Sequence, residues 1–207
     1  ALGLDAGDFY LYGHSWGGLL AIEYALKYQQ HLKGLVVSNM MSSIPAYNKY
    51  AHEVLMPGMD PQALKEILAL EAAKKYDDPR YEELLLPFYE QHILRRPAAE
   101  WPAPVLRSFG QINKKVYIPM QGPSEMGASG ILLDWNRTAD LKKIAVPTLV
   151  IAGTYDTMDP KWMRMMSREF PRGDFLLLPN SGHMAMYDDQ SAYFAGLLAW
   201  MHKVDAA

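Results

Sequence analysis

The sequence predicts an α/β fold in which a parallel sheet is interrupted by a long helical insertion. A strand–helix–strand pattern occupies residues 8–38, a second series of short apolar runs begins at residue 146, and the stretch between them has no convincing strand. Strands that alternate with helices indicate a parallel sheet, because parallel strands need a crossover connection. We therefore expect a core of residues 1–39 and 135–207, with residues 40–134 forming a helical cap.

The first unit is read from its hydrophobic pattern. Residues 8–12 form a short aromatic and aliphatic run that ends at Gly13, which is typical of a buried strand. In residues 17–29 the apolar positions recur at steps of three and four, which predicts a helix. Residues 32–38 then form a second strand.

The insertion has helical signals. Asp60 followed by Pro61 is an N-cap with proline at the first helical position, and an apolar stripe with helical spacing follows. Residues 81–94 and 102–109 are predicted to form two further helices.

The strand–helix alternation resumes after the insertion. The sequence predicts a strand at residues 146–152, a helix at 160–170, a strand at 174–178 and a closing helix at 190–204. Four apolar residues of the closing helix are expected on one face, namely Phe194, Leu197, Leu198 and Met201.

Composition excludes several functions. The chain has 207 residues, a formal net charge of −3 and no long basic cluster, so we expect no nucleic-acid partner. No apolar run approaches the ~20 residues that span a bilayer, so we expect no membrane partner. The absence of cysteine excludes disulfides, thiolate metal sites and a cysteine nucleophile. It also fits a reducing compartment, and we expect a cytoplasmic location. No signal peptide is visible at Ala1.

A G-x-S-x-G motif spans residues 13–17, where the first strand becomes the first helix. In this context the serine lies on a tight turn and its hydroxyl projects from the edge of the sheet, while the flanking glycines allow strand and helix to approach closely. We predict that Ser15 is the nucleophile and that the Trp16 N–H helps to bind the oxyanion. For His14 we expect a structural role.

Two further strand ends supply an acid and a base. Asp156 follows the strand at 146–152, and His183 follows the strand at 174–178. The carboxyl ends of parallel strands share one edge of the sheet, so both residues should meet Ser15. The order Ser, acid, His is that of the α/β-hydrolase fold. Asp159 is the alternative acid, but Asp156 is nearer to the strand end. No metal or organic cofactor is expected, since no ligand spacing such as H-E-x-x-H is present.

Taken together, these motifs resemble the proline iminopeptidases, which are serine aminopeptidases of the α/β-hydrolase fold. The resemblance covers nearly the whole chain and is carried by residues 13–18, 91–96, 101–102, 122–125, 155–156 and 182–183. It implies release of an N-terminal residue, preferably proline, from short peptides, amides or arylamides with a free N-terminus. An amino-acid amidase or esterase of the same fold remains the alternative.

The resemblance also implies a substrate site. Glu125 matches the family's cap glutamate, which binds the free α-amine; otherwise it would be a solvated loop carboxylate. Family members often have a second acid directly after the acid of the triad. Here that position is Thr157, and Asp159 is the candidate replacement. Aromatic residues could line a pocket for the substrate side chain or pack in the cap core; they are Trp135, Trp101, Phe109 and Tyr117.

The family fold normally has several strands before the nucleophile strand, and a glycine-rich loop that donates a second N–H to the oxyanion. We therefore expect this chain to be the C-terminal part of the fold, with its first strand at an exposed edge and a missing N-terminal segment as its partner. The further alternatives are a catalytically impaired fragment that needs this segment, and a binding module built on a hydrolase scaffold.

Overall fold

The sheet is parallel and four-stranded. The structure is a computed structural model that describes residues 7–207, so the sequence around Ala1 and any signal peptide there lie outside the described residues. The strands are β1 (Tyr10–His14), β2 (Gly34–Ser38), β3 (Thr148–Gly153) and β4 (Gly173–Leu178), in the spatial order β1-β2-β3-β4. All three neighbouring pairs are parallel, which confirms the predicted fold class.

Within residues 7–207, nine α-helices accompany the sheet. They are α1 (Trp16–Tyr28), α2 (Ile44–Tyr50), α3 (Pro61–Ala72), α4 (Pro79–His92), α5 (Ala103–Gly110), α6 (Lys114–Met120), α7 (Pro160–Glu169), α8 (Ala185–Asp188) and α9 (Gln190–Asp205). Six of them were predicted to within about two residues, which is the usual disagreement at helix ends. The sequence reading missed α2, α6 and α8, which are all short.

The predicted start of α3 is confirmed. The side chain of Asp60 accepts hydrogen bonds from the N–H groups of Gln62 and Ala63, and Pro61 is the first residue of the helix. Such a cap satisfies backbone donors that have no partner inside the helix.

Both faces of the sheet are covered in its centre. Leu35 and Val37 of β2 point into a cluster with α1 and α7, whereas Val36 points into a cluster with α9. This alternation follows from the two-residue period of a strand, and it explains why β2 is apolar throughout except at its last residue.

The apolar face predicted for α9 is directed only partly at the core, against which Leu197 and Met201 pack. Tyr193 and Trp200 are the buried residues of this helix, whereas Phe194 and Leu198 are 44% and 50% exposed. The orientation follows from two aromatic residues with polar groups, because the Tyr193 hydroxyl bonds Ser38 and the Trp200 N–H donates to Asp174.

The helices α2–α6 lie between β2 and β3 in sequence. Two of them, α3 and α4, have a core that is separate from the sheet, whereas Ile44 and Tyr47 of α2 belong to the main core. This cluster joins α3 and α4 to a short π-helical segment, Ala51–Leu55. Its buried members are Ala51, Leu55, Met56, Ile67, Tyr81, Leu84, Leu85, Phe88 and Met126. Among the described residues of this region no strand is present; only an isolated antiparallel bridge joins Ser43 to Asn136.

At the far side of the sheet, β1 forms one edge of the described structure, and its residue Tyr12 is 43% exposed. None of the helices in residues 7–207 combines the length and apolar character needed to cross a bilayer.

Candidate active site

Ser15 lies at a sharp turn between β1 and α1. Its backbone has φ 54° and ψ −130°, a left-handed value of φ that is uncommon for a residue other than glycine. The turn is held by two backbone hydrogen bonds: the Ser15 N–H donates to the Ser38 oxygen at 2.9 Å, and the Gly18 N–H donates to the Ser15 oxygen at 2.7 Å. Backbone strain of this kind is found where the surrounding structure fixes a functional side chain.

The glycines around Ser15 do not all serve the purpose that the motif predicted. A Cβ on Gly13 would lie 2.2 Å from the Gly17 carbonyl oxygen, and one on Gly18 would lie 2.8 Å from the Cβ of Met40. A Cβ on Gly17 would meet nothing within 4 Å. The close approach of strand and helix therefore depends on Gly13 and Gly18, and the steric role predicted for Gly17 is wrong.

Asp156 and His183 meet Ser15 at the carboxyl ends of the strands. The Nδ1 atom of His183 lies 2.7 Å from Oδ1 of Asp156, and its Nε2 atom lies 2.7 Å from Oγ of Ser15. Asp156 is 0% and His183 4% exposed. The carboxylate can only accept, so Nδ1 carries the proton and Nε2 is free to accept the serine hydroxyl hydrogen.

The environment of His183 favours its charged form. Burial opposes the charge, but attraction to Asp156, the hydrogen bond that His183 donates to that carboxylate and the charge of Glu125 outweigh burial and raise the pKa of His183. A base that is stabilised as an imidazolium is suited to take a proton from a serine hydroxyl.

His14, for which a structural role was expected, packs against His183. Its Nε2 atom lies 2.9 Å from the backbone oxygen of His183, and the two ring centroids are 5.0 Å apart. Burial and repulsion from His183 lower the pKa of His14 to about 4. His14 is therefore a neutral donor that supports the backbone of His183.

A cavity of about 280 Å³ opens next to Ser15. Glu125 lies in its wall, together with Trp16, which is the first residue of α1. The Trp16 N–H thus belongs to the first turn of a helix, where backbone donors have no partner inside the helix. The remaining lining is mostly apolar: Met40, Ile44, Ile112, Asn113, Val116, Tyr117, Met120, Gln121 and Met158.

Three tyrosines from three cap helices hold Glu125. The Tyr117 hydroxyl donates to its Oε1 atom, the Tyr47 hydroxyl donates to its backbone oxygen at 2.7 Å, and its N–H donates to the Tyr89 hydroxyl at 3.3 Å. Burial and the charge of Glu125 raise the pKa values of all three tyrosines, so their hydroxyls stay protonated. The backbone of Glu125 is thus held by two tyrosines, and a third contacts its carboxylate in the wall of the cavity.

Two predicted substrate residues lie elsewhere. The indole N–H of Trp135 donates to Glu23 of α1 at 2.7 Å, and its ring packs on the main core. The carboxylate of Asp159 caps α7 by accepting from the Lys161 N–H at 2.9 Å. Neither residue lines the cavity next to Ser15, so a substrate-binding role for Trp135 and Asp159 stays a prediction that these contacts do not support. Of the other aromatic candidates only Tyr117 lines that cavity, while Trp101 and Phe109 stack on each other in the cap at 5.5 Å.

The sequence analysis missed a link between α4 and the loops that carry Asp156 and His183. The backbone N–H of His183 donates to the carbonyl oxygen of His92, at the end of α4, at 2.7 Å. In addition, Nδ1 of His92 lies 2.8 Å from the backbone oxygen of Tyr155. Asp188 extends this link, because its carboxylate accepts from the N–H groups of Arg95 and Gly182 at 2.9 and 2.8 Å. The end of α4 therefore contacts the loops on both sides of the site.

Asn39 was also missed. It is fully buried and donates from Nδ2 to Oδ2 of Asp156 at 2.7 Å.

Within residues 7–207, no group of three or more His, Asp or Glu side chains converges in a way that could hold a metal ion.

Comparison with known proteins agrees with this geometry. The profile of the alpha/beta hydrolase family matches residues 1–197. A proline iminopeptidase of Flavobacterium johnsoniae is 50% identical over 206 residues, which are 99% of this chain and 69% of that protein. The chain belongs to the proline iminopeptidase family of α/β-hydrolases. It is accordingly a hydrolase, as the sequence resemblance predicted.

Two solved structures extend this assignment to three dimensions. The crystal structure of VinJ has a TM-score of 0.89 and 29% identity, and the match covers 96% of this chain and 67% of that one. The crystal structure of the proline iminopeptidase of Mycobacterium smegmatis has a TM-score of 0.81 and 26% identity, with 95% and 66% covered. The proline iminopeptidase fold of the described region is therefore shared with experimentally determined relatives.

Proposed function

We propose that the chain is a serine aminopeptidase that releases an N-terminal residue, preferably proline, from short peptides, amides or arylamides. The observation that carries the proposal is that the Ser15 hydroxyl and the Glu125 carboxylate belong to the same cavity. A nucleophile and an anionic group in the wall of one small cavity suit a substrate whose ammonium group lies close to its scissile bond.

The proposed reaction has two halves. Ser15 Oγ attacks the carbonyl carbon while Nε2 of His183 takes its proton, and Asp156 stabilises the resulting imidazolium. The Trp16 N–H helps to bind the oxyanion. His183 then gives the proton to the leaving amine, which leaves an acyl-enzyme on Ser15. In the second half water attacks the ester, with His183 again taking and returning a proton, and the free amino acid is released.

The substrate end is recognised by charge and by shape. In this proposal the ammonium group of the substrate meets Oε2 of Glu125, while Tyr117 holds Oε1. The apolar walls, which include Met40, Ile44 and Met158, suit a compact ring such as that of proline. The names of the relatives support this preference.

The test compares two substrates in one variant. Glu125→Gln should lower kcat/KM for a prolyl arylamide by about 10- to 100-fold, which corresponds to the loss of one charged hydrogen bond. The same variant should cleave an acetate ester, which has no ammonium group, within about threefold of the wild-type rate. Glu53→Gln, which changes an exposed carboxylate outside the cavity, is the matched control and should alter neither rate.

Two results would favour the alternatives. If Glu125→Gln loses the same activity on the arylamide as on the ester, Glu125 does not bind the substrate amine. Cleavage of acetate esters without any cleavage of aminoacyl arylamides would assign the site to an esterase. Cytoplasmic location, the absence of nucleic-acid and membrane partners, and the need for an N-terminal segment stay predictions.

A further inference from the structure

Asn39 occupies an unusual backbone position beside the proposed acid. It directly follows β2, is fully buried and has φ 53°, one of three left-handed values among non-glycine residues in the described chain. Its N–H donates to the Ile151 oxygen of β3 at 2.8 Å. Asparagine is among the few residues that enter this region readily. The end of β2 is thus turned so that this side chain points across to the loop that follows β3.

The side chain of Asn39 contacts the carboxylate oxygen that His183 leaves free. Nδ2 of Asn39 lies 2.7 Å from Oδ2 of Asp156, whereas Oδ1 of Asp156 lies 2.7 Å from Nδ1 of His183. Oδ1 also accepts from the Met158 N–H at 3.1 Å and from the Thr157 hydroxyl at 3.3 Å. Asn39 therefore provides a hydrogen bond to Oδ2 of Asp156, and His183 binds Oδ1.

The orientation of the Asn39 amide is itself fixed. Its Oδ1 atom accepts from the Ser38 hydroxyl at 2.7 Å, so its NH₂ group must face the carboxylate, which can only accept. The Ser38 hydroxyl lies 2.9 Å from the Tyr193 hydroxyl, which lies 2.7 Å from the Tyr12 hydroxyl. A hydrogen-bonded chain thus runs from the exposed Tyr12 on β1 to Asp156, His183 and Ser15.

We propose that Asn39 is a positioning residue of the serine hydrolase reaction, acting through Asp156 on the orientation of His183. The inference rests on the proposed function only in requiring Ser15 as the nucleophile. Held at both oxygens, the carboxylate cannot rotate, and Oδ1 stays aligned with the imidazole. The amide dipole also offsets part of the negative charge of the fully buried carboxylate, which limits how strongly Asp156 holds a proton on His183.

Two variants separate positioning from folding. Asn39→Gly removes the amide but accepts the left-handed backbone, so the turn is kept. Asn39→Asp keeps the size and the oxygen that faces Ser38, but it replaces the donor by a second carboxylate. Asn136→Asp is the matched control, because Asn136 is exposed and an aspartate can still accept from the Thr138 N–H.

The measurement is the rate at which a fluorophosphonate labels Ser15, followed over a range of pH. Labelling needs the nucleophile and the base but no substrate amine, so it tests Asn39 separately from aminopeptidase activity. Both Asn39 variants should label about 10- to 100-fold more slowly at the optimum, and kcat for a prolyl arylamide should fall with KM changed by less than about threefold. Asn136→Asp should label at the wild-type rate.

The pH dependence distinguishes the proposal from a purely structural role. Loss of the donor leaves more negative potential at His183, so the acid limb of labelling should move to higher pH in both variants. The other titratable groups that act on this pair are unchanged in the variants: His14, Tyr47, Tyr50, His92 and Glu125. Wild-type labelling rates in both variants, or slower labelling with an unmoved acid limb and a lower melting temperature, would overturn the inference. If the wild-type protein is not labelled, both the assignment of Ser15 as the nucleophile and the inference about Asn39 are overturned.

Discussion

The imidazole of His14 donates a hydrogen bond to the backbone oxygen of His183, and the rings of these two histidines lie 5.0 Å apart. Their surroundings shift their pKa values in opposite directions. Burial and the neighbouring imidazole lower the pKa of His14 to about 4, whereas the Asp156 carboxylate overcomes burial and raises the pKa of His183. Around neutral pH only one of the two rings can titrate.

The first prediction concerns the pH dependence of hydrolysis. His183 must be neutral to take the proton of Ser15, so activity is lost as the pH falls through the pKa of His183. Since that pKa is raised, the acid limb of kcat/KM should have its midpoint above about 6.5, the ordinary value for histidine. Steady-state rates between about pH 5 and about pH 9 measure it. A midpoint well below the ordinary value would show that Asp156 does not stabilise the imidazolium.

A second prediction compares two glycines of the nucleophile turn. Gly13→Ala places a Cβ 2.2 Å from a backbone oxygen, so it should reduce the free energy of unfolding by about 1–3 kcal/mol or more. Gly17→Ala meets nothing within 4 Å and lies in α1, where alanine is the better helix former. It should leave stability unchanged or raise it by up to about 1 kcal/mol. Urea unfolding followed by circular dichroism measures both, and equal losses would contradict the assigned contacts.

The third prediction tests the link between the cap and the base loop. Asp188→Ala leaves the N–H groups of Arg95 and Gly182 without their acceptor, which should cost about 1–3 kcal/mol of stability and lower kcat by about tenfold. Asp189→Ala is the matched control. It removes the N-cap of α9 and should cost about 0.5–2 kcal/mol with kcat unchanged. A loss of kcat in both variants, or in neither, would show that the hydrogen bonds of Asp188 make no specific contribution to catalysis.

The strand-to-helix turn and the order of the three proposed catalytic residues could be predicted because they depend on local sequence. Ser15, Asp156 and His183 each follow a strand, and parallel strands bring their carboxyl ends to one edge of the sheet. No tertiary detail is needed for that inference. Each residue could be placed by its position after a strand alone.

The substrate side of the site was harder to predict, because it depends on contacts between distant segments. Trp135 was a plausible pocket residue, but Glu23, which is 112 positions away, binds its indole N–H. Asp159 has the sequence signature of a helix cap, with Pro160 next to it, and the cap is where its carboxylate lies. Glu125 was identified by resemblance alone, since nothing in its local sequence distinguishes it from a solvated carboxylate.

The sequence contains only a weak indication that Asn39 lies at the site. The polar pair Ser38-Asn39 ends an otherwise apolar strand, at the edge of the sheet where the other site residues lie. Its contact with Asp156 depends on the register of β2 against β3, in which Ser38 lies opposite Ile151. That register cannot be predicted from a single sequence, so the contact between Asn39 and Asp156 is visible only in the folded structure.

The central claim is that Ser15 is a nucleophile activated by His183, and active-site labelling tests it most directly. The protein is treated with a fluorophosphonate near neutral pH, and the modified peptide is mapped by mass spectrometry. We expect one phosphonyl group on Ser15, no labelling of Ser15→Ala, and labelling slowed by about 10³-fold or more in His183→Ala. Absence of label on Ser15, or label on another hydroxyl that persists in Ser15→Ala, would contradict the account.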